Sequence, residues 1–230
     1  MKTIGLIGGM SWESSKVYYE YLNRMVNERL GGSHSAKVLM SSVDFAEIEK
    51  LSFTGDWDTI GAIMAEHAKK LETAGAEMVI LGTNTIHLVS DFITQAIDLP
   101  FVHIATTTAE AIQKKGLKKV GLLGTKFTME KDFYTKILEI DFGLDVVVPS
   151  EEERQMLQDI IYNELVKGIF DEASKNKCLG IIKKLRQSGA EGIILGCTEL
   201  PLLIPGNEVD LPTFDTTKIH SQKVVDLALA

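Results

Sequence analysis

Two residues of this chain are placed and typed for proton transfer. Thr83 ends the phrase Gly75–Thr83, "GAEMVILGT", and Cys197 ends the phrase Gly189–Cys197, "GAEGIILGC". Six of the nine positions are identical, so the chain writes one phrase twice and changes the reactive group at its end. A free thiol ionises at a pKa of about 8.5, close enough to neutrality to serve as base and then as acid. A threonine hydroxyl is a far poorer base, but it can hydrogen-bond, orient a water or deliver a proton. Removing a proton from one face of a carbon and returning one to the other needs a group on each side, within hydrogen-bond reach.

A lone free cysteine is more often a small buried hydrophobe than a catalyst. What lifts Cys197 above that is its place in the repeat, after an apolar run and a glycine. The residues that follow are polar, Asn84 and Thr85 in one copy and Thr198 and Glu199 in the other. Each segment then reads as a helix, "IHLVSDFI" or "LPLLI". A helix N-terminus there would suit a carboxylate and lower the pKa of Cys197, favouring thiolate. Cys178, mid-helix in "NKCLGIIKKL", reads as structural.

The elements that must carry these groups are also repeated. "TIGLIGGM" from Thr3 resembles "KVGLLGTK" from Lys119, and the same offset of 116 brings Tyr18 onto Tyr134. The offset between the strand-end phrases is 114. Two matches in one order, at nearly one spacing, indicate a duplicated lobe. Short apolar segments near residues 4–7, 38–43, 78–81, 101–104, 120–123, 144–148 and 192–195 have the continuous hydrophobicity of buried parallel strands. Residues 17–30, 58–74, 151–166 and 178–187 have helical period. The fold class is α/β: two similar lobes, each a mainly parallel sheet flanked by helices, with the active site in the cleft between them. The expected boundaries are 1–112 for the first lobe and 113–208 for the second. A tail helix within 209–230 is expected to pack back on the first lobe. In such sheets ligands collect beyond the carboxyl ends of the strands, where Thr83 and Cys197 stand.

Composition narrows the partners. A formal net charge of −8 with no Lys/Arg block argues against nucleic acid and anionic membrane. No apolar run reaches the roughly 18–20 residues of a membrane span, and "MKTIGLIGGMSWESS" reads as a strand entering a Gly turn rather than a signal peptide. With two cysteines and no Cys-x-x-Cys, a reducing cytoplasm is expected. "GLIGGM" lacks dinucleotide-fingerprint spacing and no Walker A sequence occurs. The five histidines have no metal-ligand spacing, so no metal site is expected. His67 and His103 read as core groups. His87, four residues after Thr83, either faces the cleft or packs the following segment. Asp44 and Glu47 suit a helix start.

Taken together, "GGMSWESS", "SSVDFAEIE", "NTIH", "GLLGTKFTMEKDFY", "IIYNEL" and "GCTELPLL" resemble the cofactor-independent aspartate/glutamate racemase family over nearly the whole chain. The resemblance implies two similar α/β lobes, a homodimer, a small acidic amino acid as substrate, and neither pyridoxal phosphate nor metal. It matches Cys197 to the thiol of the second lobe and Thr83 to the position where many members carry the first. Asn84, Thr85, Thr198 and Glu199 match residues that hold the substrate's α-amino and α-carboxylate groups, and Met10 matches a backbone contact. Lys167 is the nearest candidate for the cation that meets the distal carboxylate, with a solvated helix residue as the equal alternative. The expected reaction is inversion at Cα, with Cys197 as thiolate base. Two rivals remain: a single-thiol decarboxylase or isomerase of a small dicarboxylate on this scaffold, and a non-catalytic protein that binds an acidic amino acid.

Overall fold

The computed structural model describes residues 1–230, the side chain of Asn207 excepted. The chain forms two compact units, one of Met1–Ile104 with His220–Ala230 and one of Ala105–Ile219.

The first unit is built on β1 (Ile4–Gly8), β2 (Val38–Ser42) and β3 (Met78–Leu81), all parallel, in the order β2-β1-β3. Phe101 continues the sheet through a parallel bridge to Val79. β1 and β3 are buried along their whole length, which is why they lack apolar–polar alternation. Alternate residues still go to opposite faces. Ile7, Val79 and Leu81 join a cluster with Ile60, Met64 and Leu71 of the helix Trp57–Thr73. Ile4, Leu6, Met78 and Ile80 join one with Tyr18 and Leu22 of the helix Trp12–Leu30 and Val224 of the helix Thr216–Leu229. Asp44 does start a helix, Phe45–Thr54, by accepting from Ala46 N at 3.1 Å.

The second unit repeats this plan with β4 (Lys119–Gly124), β5 (Asp145–Val147), β6 (Gly192–Gly196) and β7 (Thr213–Asp215), parallel in the order β5-β4-β6-β7. β7 lies beside β6 as Phe101 lies beside β3. The helix Glu151–Asn163 opens with a capping box, Ser150 and Glu153 each bonding the other's backbone. Helix Glu172–Gln187 buries Cys178, Ile181, Ile182 and Leu185.

Residues 105–112 and 209–219 fall in the second unit, not outside it. There Tyr134 Oη donates to Thr108 Oγ1 at 3.3 Å, and β7 extends the sheet. β7 escaped the sequence reading because three residues, "TFD", carry too little apolar signal. The segment 101–104 contributes one bridge and then turns into the helix Ile104–Lys114.

The duplicated "GAE" does the same work in each unit. Gly75 and Gly189 turn the chain at φ of +96° and +94°, a conformation that favours glycine. Glu77 Oε2 then accepts from Thr3 N at 2.7 Å, and Glu191 Oε2 accepts from Lys118 N at 2.7 Å. Each carboxylate ties the entrance of the third strand to that of the first.

Candidate active site

Each sheet delivers one of the two candidate residues at the carboxyl end of its third strand. β6 ends at Gly196, where a Cβ would lie 2.8 Å from Leu123 O, so glycine allows the strand end to press against β4. Cys197 follows, 7% exposed. Its Sγ donates to Glu199 Oε2 at 3.1 Å, and Thr198 Oγ1 donates to the same oxygen at 2.6 Å. Cys197, Thr198 and Glu199 thus form one buried hydrogen-bonded group.

This geometry overturns the expectation of a thiolate in the free protein. Burial, followed by the Glu199 carboxylate, pushes the Cys197 thiol well above its ordinary range. The helix invoked to lower it is the four-residue turn Leu200–Leu203, too short for a substantial field. The equivalent segment after Thr83 is likewise a 3₁₀ turn, Thr85–Val89, running into the five-residue Ser90–Thr94. Neither supplies the extended helix N-terminus expected from the sequence. Two opposing effects remain at Cys197: backbone N–H groups of Glu199 and Leu200 favour thiolate, while burial and the carboxylate favour thiol. The second pair dominates.

At the end of β3, Thr83, Asn84 and Thr85 are all buried. His87 donates from Nδ1 to Thr83 O at 2.8 Å and accepts from Ile104 N through Nε2 at 3.3 Å. Both ring nitrogens are therefore used by a neutral imidazole in the Nδ1–H form. Burial drives the His87 pKa well below its ordinary value. Of the two readings of His87, the structure supports packing: the residue is 1% exposed and its ring is engaged with backbone.

His103 lies with its ring centroid 4.6 Å from that of His87, and His220 at 6.0 Å. His220 donates from Nε2 to Val102 O at 2.8 Å, and its Nδ1 accepts from Tyr18 Oη at 2.8 Å. Burial lowers His103 and His220 to about 4. The sequence reading had not singled out His220. Its partner Tyr18 lies 202 positions away, and only the repeated Tyr18/Tyr134 pair hinted that this hydroxyl was buried by design.

Met10 follows Gly9, whose φ is +95°, and its side chain packs into the core of the first unit. Gly9 N donates to Ser15 Oγ at 2.7 Å, which fixes the turn. Lys167 differs from the other expected site residues. It is exposed at the end of the 3₁₀ turn Leu165–Lys167, before a left-handed Gly168, and no ion pair engages its ammonium among the described residues. The structure brings together Cys197, Thr198 and Glu199 in one unit and Thr83, Asn84 and Thr85 in the other. Cys178 is buried, its thiol pushed up to about 12 chiefly by burial, in keeping with a structural role. No group of three or more His, Cys, Asp or Glu suited to a metal occurs among the described residues, and none of their helices is long and apolar enough to cross a membrane.

The family model for Asp/Glu/Hydantoin racemase matches residues 7–224, spanning both strand ends. The chain belongs to that family. As a member of the Asp/Glu/hydantoin racemases it is an isomerase. It resembles a candidate Asp/Glu racemase from Yersinia pestis at 46% identity and a TM-score of 0.93, with 100% of each chain covered. It resembles an aspartate racemase homologue from Pyrococcus horikoshii OT3 at 40% identity and a TM-score of 0.87, again over 100% of each. The broad specificity amino-acid racemase RacX of Bacillus subtilis (strain 168) is 25% identical over 178 residues, 76% of this chain and 75% of that protein.

Proposed function

We propose that this racemase inverts the α-carbon of aspartate, glutamate or both without a cofactor, with Cys197 as the base and Thr83 serving the opposite face. The observation that carries the reading is the group Cys197–Thr198–Glu199 at the end of β6, paired by the repeat with Thr83–Asn84–Thr85 at the end of β3. The names of the similar proteins, which include aspartate and glutamate racemases, support the substrate class.

The free protein holds Cys197 as a thiol, so the substrate must help to ionise it. An α-ammonium bound beside Glu199 opposes the carboxylate's field and favours thiolate, because an opposite charge within a few ångströms stabilises the ionised form. The thiol proton leaves to solvent or to Glu199. The thiolate then takes the Cα proton, leaving a carbanion whose charge spreads into the α-carboxylate. Thr83, through its hydroxyl or a water that it orients, delivers a proton to the opposite face, and solvent makes good that proton. Asn84, Thr85, Thr198 and Glu199 hold the α-amino and α-carboxylate groups, the Met10 backbone adds a contact, and Lys167 is the candidate for the distal carboxylate. A homodimer in a reducing cytoplasm completes the proposal.

Chiral chromatography of each enantiomer of aspartate and glutamate, with wild-type protein and with Cys197→Ser, tests the reading. Interconversion by the wild type and none by the variant is expected. Release of carbon dioxide, or turnover of maleate in place of inversion, would contradict it, as would binding without turnover.

A further inference from the structure

The last turn of β3 is held by side chains that the reaction itself does not use. His87 bonds the carbonyl of Thr83 at 2.8 Å on one side of its ring and the amide of Ile104 at 3.3 Å on the other. It therefore ties the strand end bearing Thr83 to the start of the helix Ile104–Lys114. The segment it reaches is itself anchored, because His220 donates to Val102 O at 2.8 Å and accepts from Tyr18 Oη at 2.8 Å. His103 stacks edge-on against His87 between the two anchors in sequence. All of these contacts lie within the first unit except that the Ile104 helix continues into the second.

We infer that His87 is a positioning residue for the Thr83 side of the reaction, setting the backbone at Thr83 through its Nδ1–H while its Nε2 is anchored on Ile104. This rests on the proposed roles of Cys197 and Thr83. His87 touches the main chain, not the hydroxyl, so it neither donates to nor takes a proton from substrate. Its loss misplaces the group that serves one face and leaves the Cys197 face intact. Small misplacements in a proton-transfer site cost large factors in rate. Burial lowers the pKa of this imidazole, so Nε2 keeps the lone pair that accepts from the Ile104 amide, while the Thr83 carbonyl requires the proton on Nδ1.

Two substitutions separate the two ring nitrogens. His87→Gln places an amide near Nε2, where it can accept from Ile104 N but cannot donate to Thr83 O. His87→Asn places an amide near Nδ1 and keeps that donation. Wild type and both variants are run in D₂O with each enantiomer of the substrate, following Cα exchange by proton NMR and inversion by chiral chromatography. His87→Gln is expected to slow inversion about tenfold while exchange of the enantiomer facing Cys197 holds within twofold, and His87→Asn to restore the wild-type ratio. Equal loss of exchange and inversion in His87→Gln, or no recovery in His87→Asn, overturns the inference. An imidazole ¹⁵N spectrum of the wild type needs no variant to fold: protonation at Nδ1 of His87 is expected, and protonation at Nε2 overturns it. Wild-type protein that neither exchanges nor inverts overturns the reading of Cys197 and Thr83 as well. Wild-type exchange with a ratio indifferent to His87→Gln overturns the positioning role alone.

Discussion

The two copies of the repeated phrase agree at their beginnings and part at their ends. At "GAE" the copies are interchangeable, with a left-handed glycine and a glutamate that accepts a first-strand amide at 2.7 Å in both. Six residues after that glutamate they differ in how the candidate group is held. Cys197 bonds a neighbouring carboxylate through its own sulfur. Thr83 is engaged through its backbone carbonyl, by an imidazole. One end has its chemistry tuned by charge, and the other has its position set by packing.

Removing the thiol is the sharpest way to break the comparison. Cys197→Ser should reduce both Cα exchange and inversion by about a thousandfold or more, since a hydroxyl is a poor base near neutral pH. The variant's residual exchange in D₂O measures this. A variant retaining a tenth of the activity would show that the Thr83 end carries the reaction.

Acid should act first on the Thr83 unit. His220 and His103 are held near pKa 4 and His87 well below its ordinary value, against about 6.5 in an unfolded chain. Between pH 6.5 and 4 the unfolded chain binds protons that the folded one refuses. Stability is therefore full above 6.5 and falls as pH drops, on the order of 1 kcal/mol per pH unit for each buried imidazole. Urea unfolding at pH 7, 6 and 5 should show a falling midpoint, less steep in His220→Gln. A midpoint flat over that range would contradict the lowered pKa values of these three imidazoles.

The charge at the other end can be tested without substrate. Glu199→Gln removes the carboxylate that opposes ionisation while leaving the backbone amides that favour it. Alkylation of Cys197 by iodoacetamide at pH 8 should then be faster, because the thiolate fraction rises. An unchanged or slower rate would assign the raised pKa to burial alone. The smallest expected effect is that of Thr83→Cys, which makes the ends more alike. The excess of exchange over inversion should shrink severalfold, and an undiminished excess would mean that residue 83 does not set it.

The sequence carried the duplication and the strand ends well, because long apolar runs bounded by glycine leave few alternatives to buried parallel strands. It carried the ionisation of Cys197 badly. The apolar "LPLLI" reads as a helix, yet it makes only the single turn Leu200–Leu203, and a field argument built on its length fails with it. Glu199 was visible two positions away, but whether its carboxylate faces the sulfur is a matter of rotamer and burial. The His87–His220 layer was harder still. It joins residues from the start, middle and end of the first unit's chain, and only packing brings Tyr18, Val102 and His220 together. Lys167, placed by resemblance, lies exposed at the end of the turn Leu165–Lys167, where its ammonium is open to solvent.

Following both enantiomers of aspartate and glutamate in D₂O by proton NMR, alongside chiral analysis, tests the central asymmetry most directly. Enantiomers have equal free energies, so kcat/KM for inversion must be equal in the two directions, and asymmetry can appear only in exchange without inversion or in kcat and KM separately. The proposed roles predict Cα exchange faster than inversion for the enantiomer facing Cys197 and not for its mirror image. Matching exchange and inversion rates for both enantiomers would contradict the division of labour between Cys197 and Thr83.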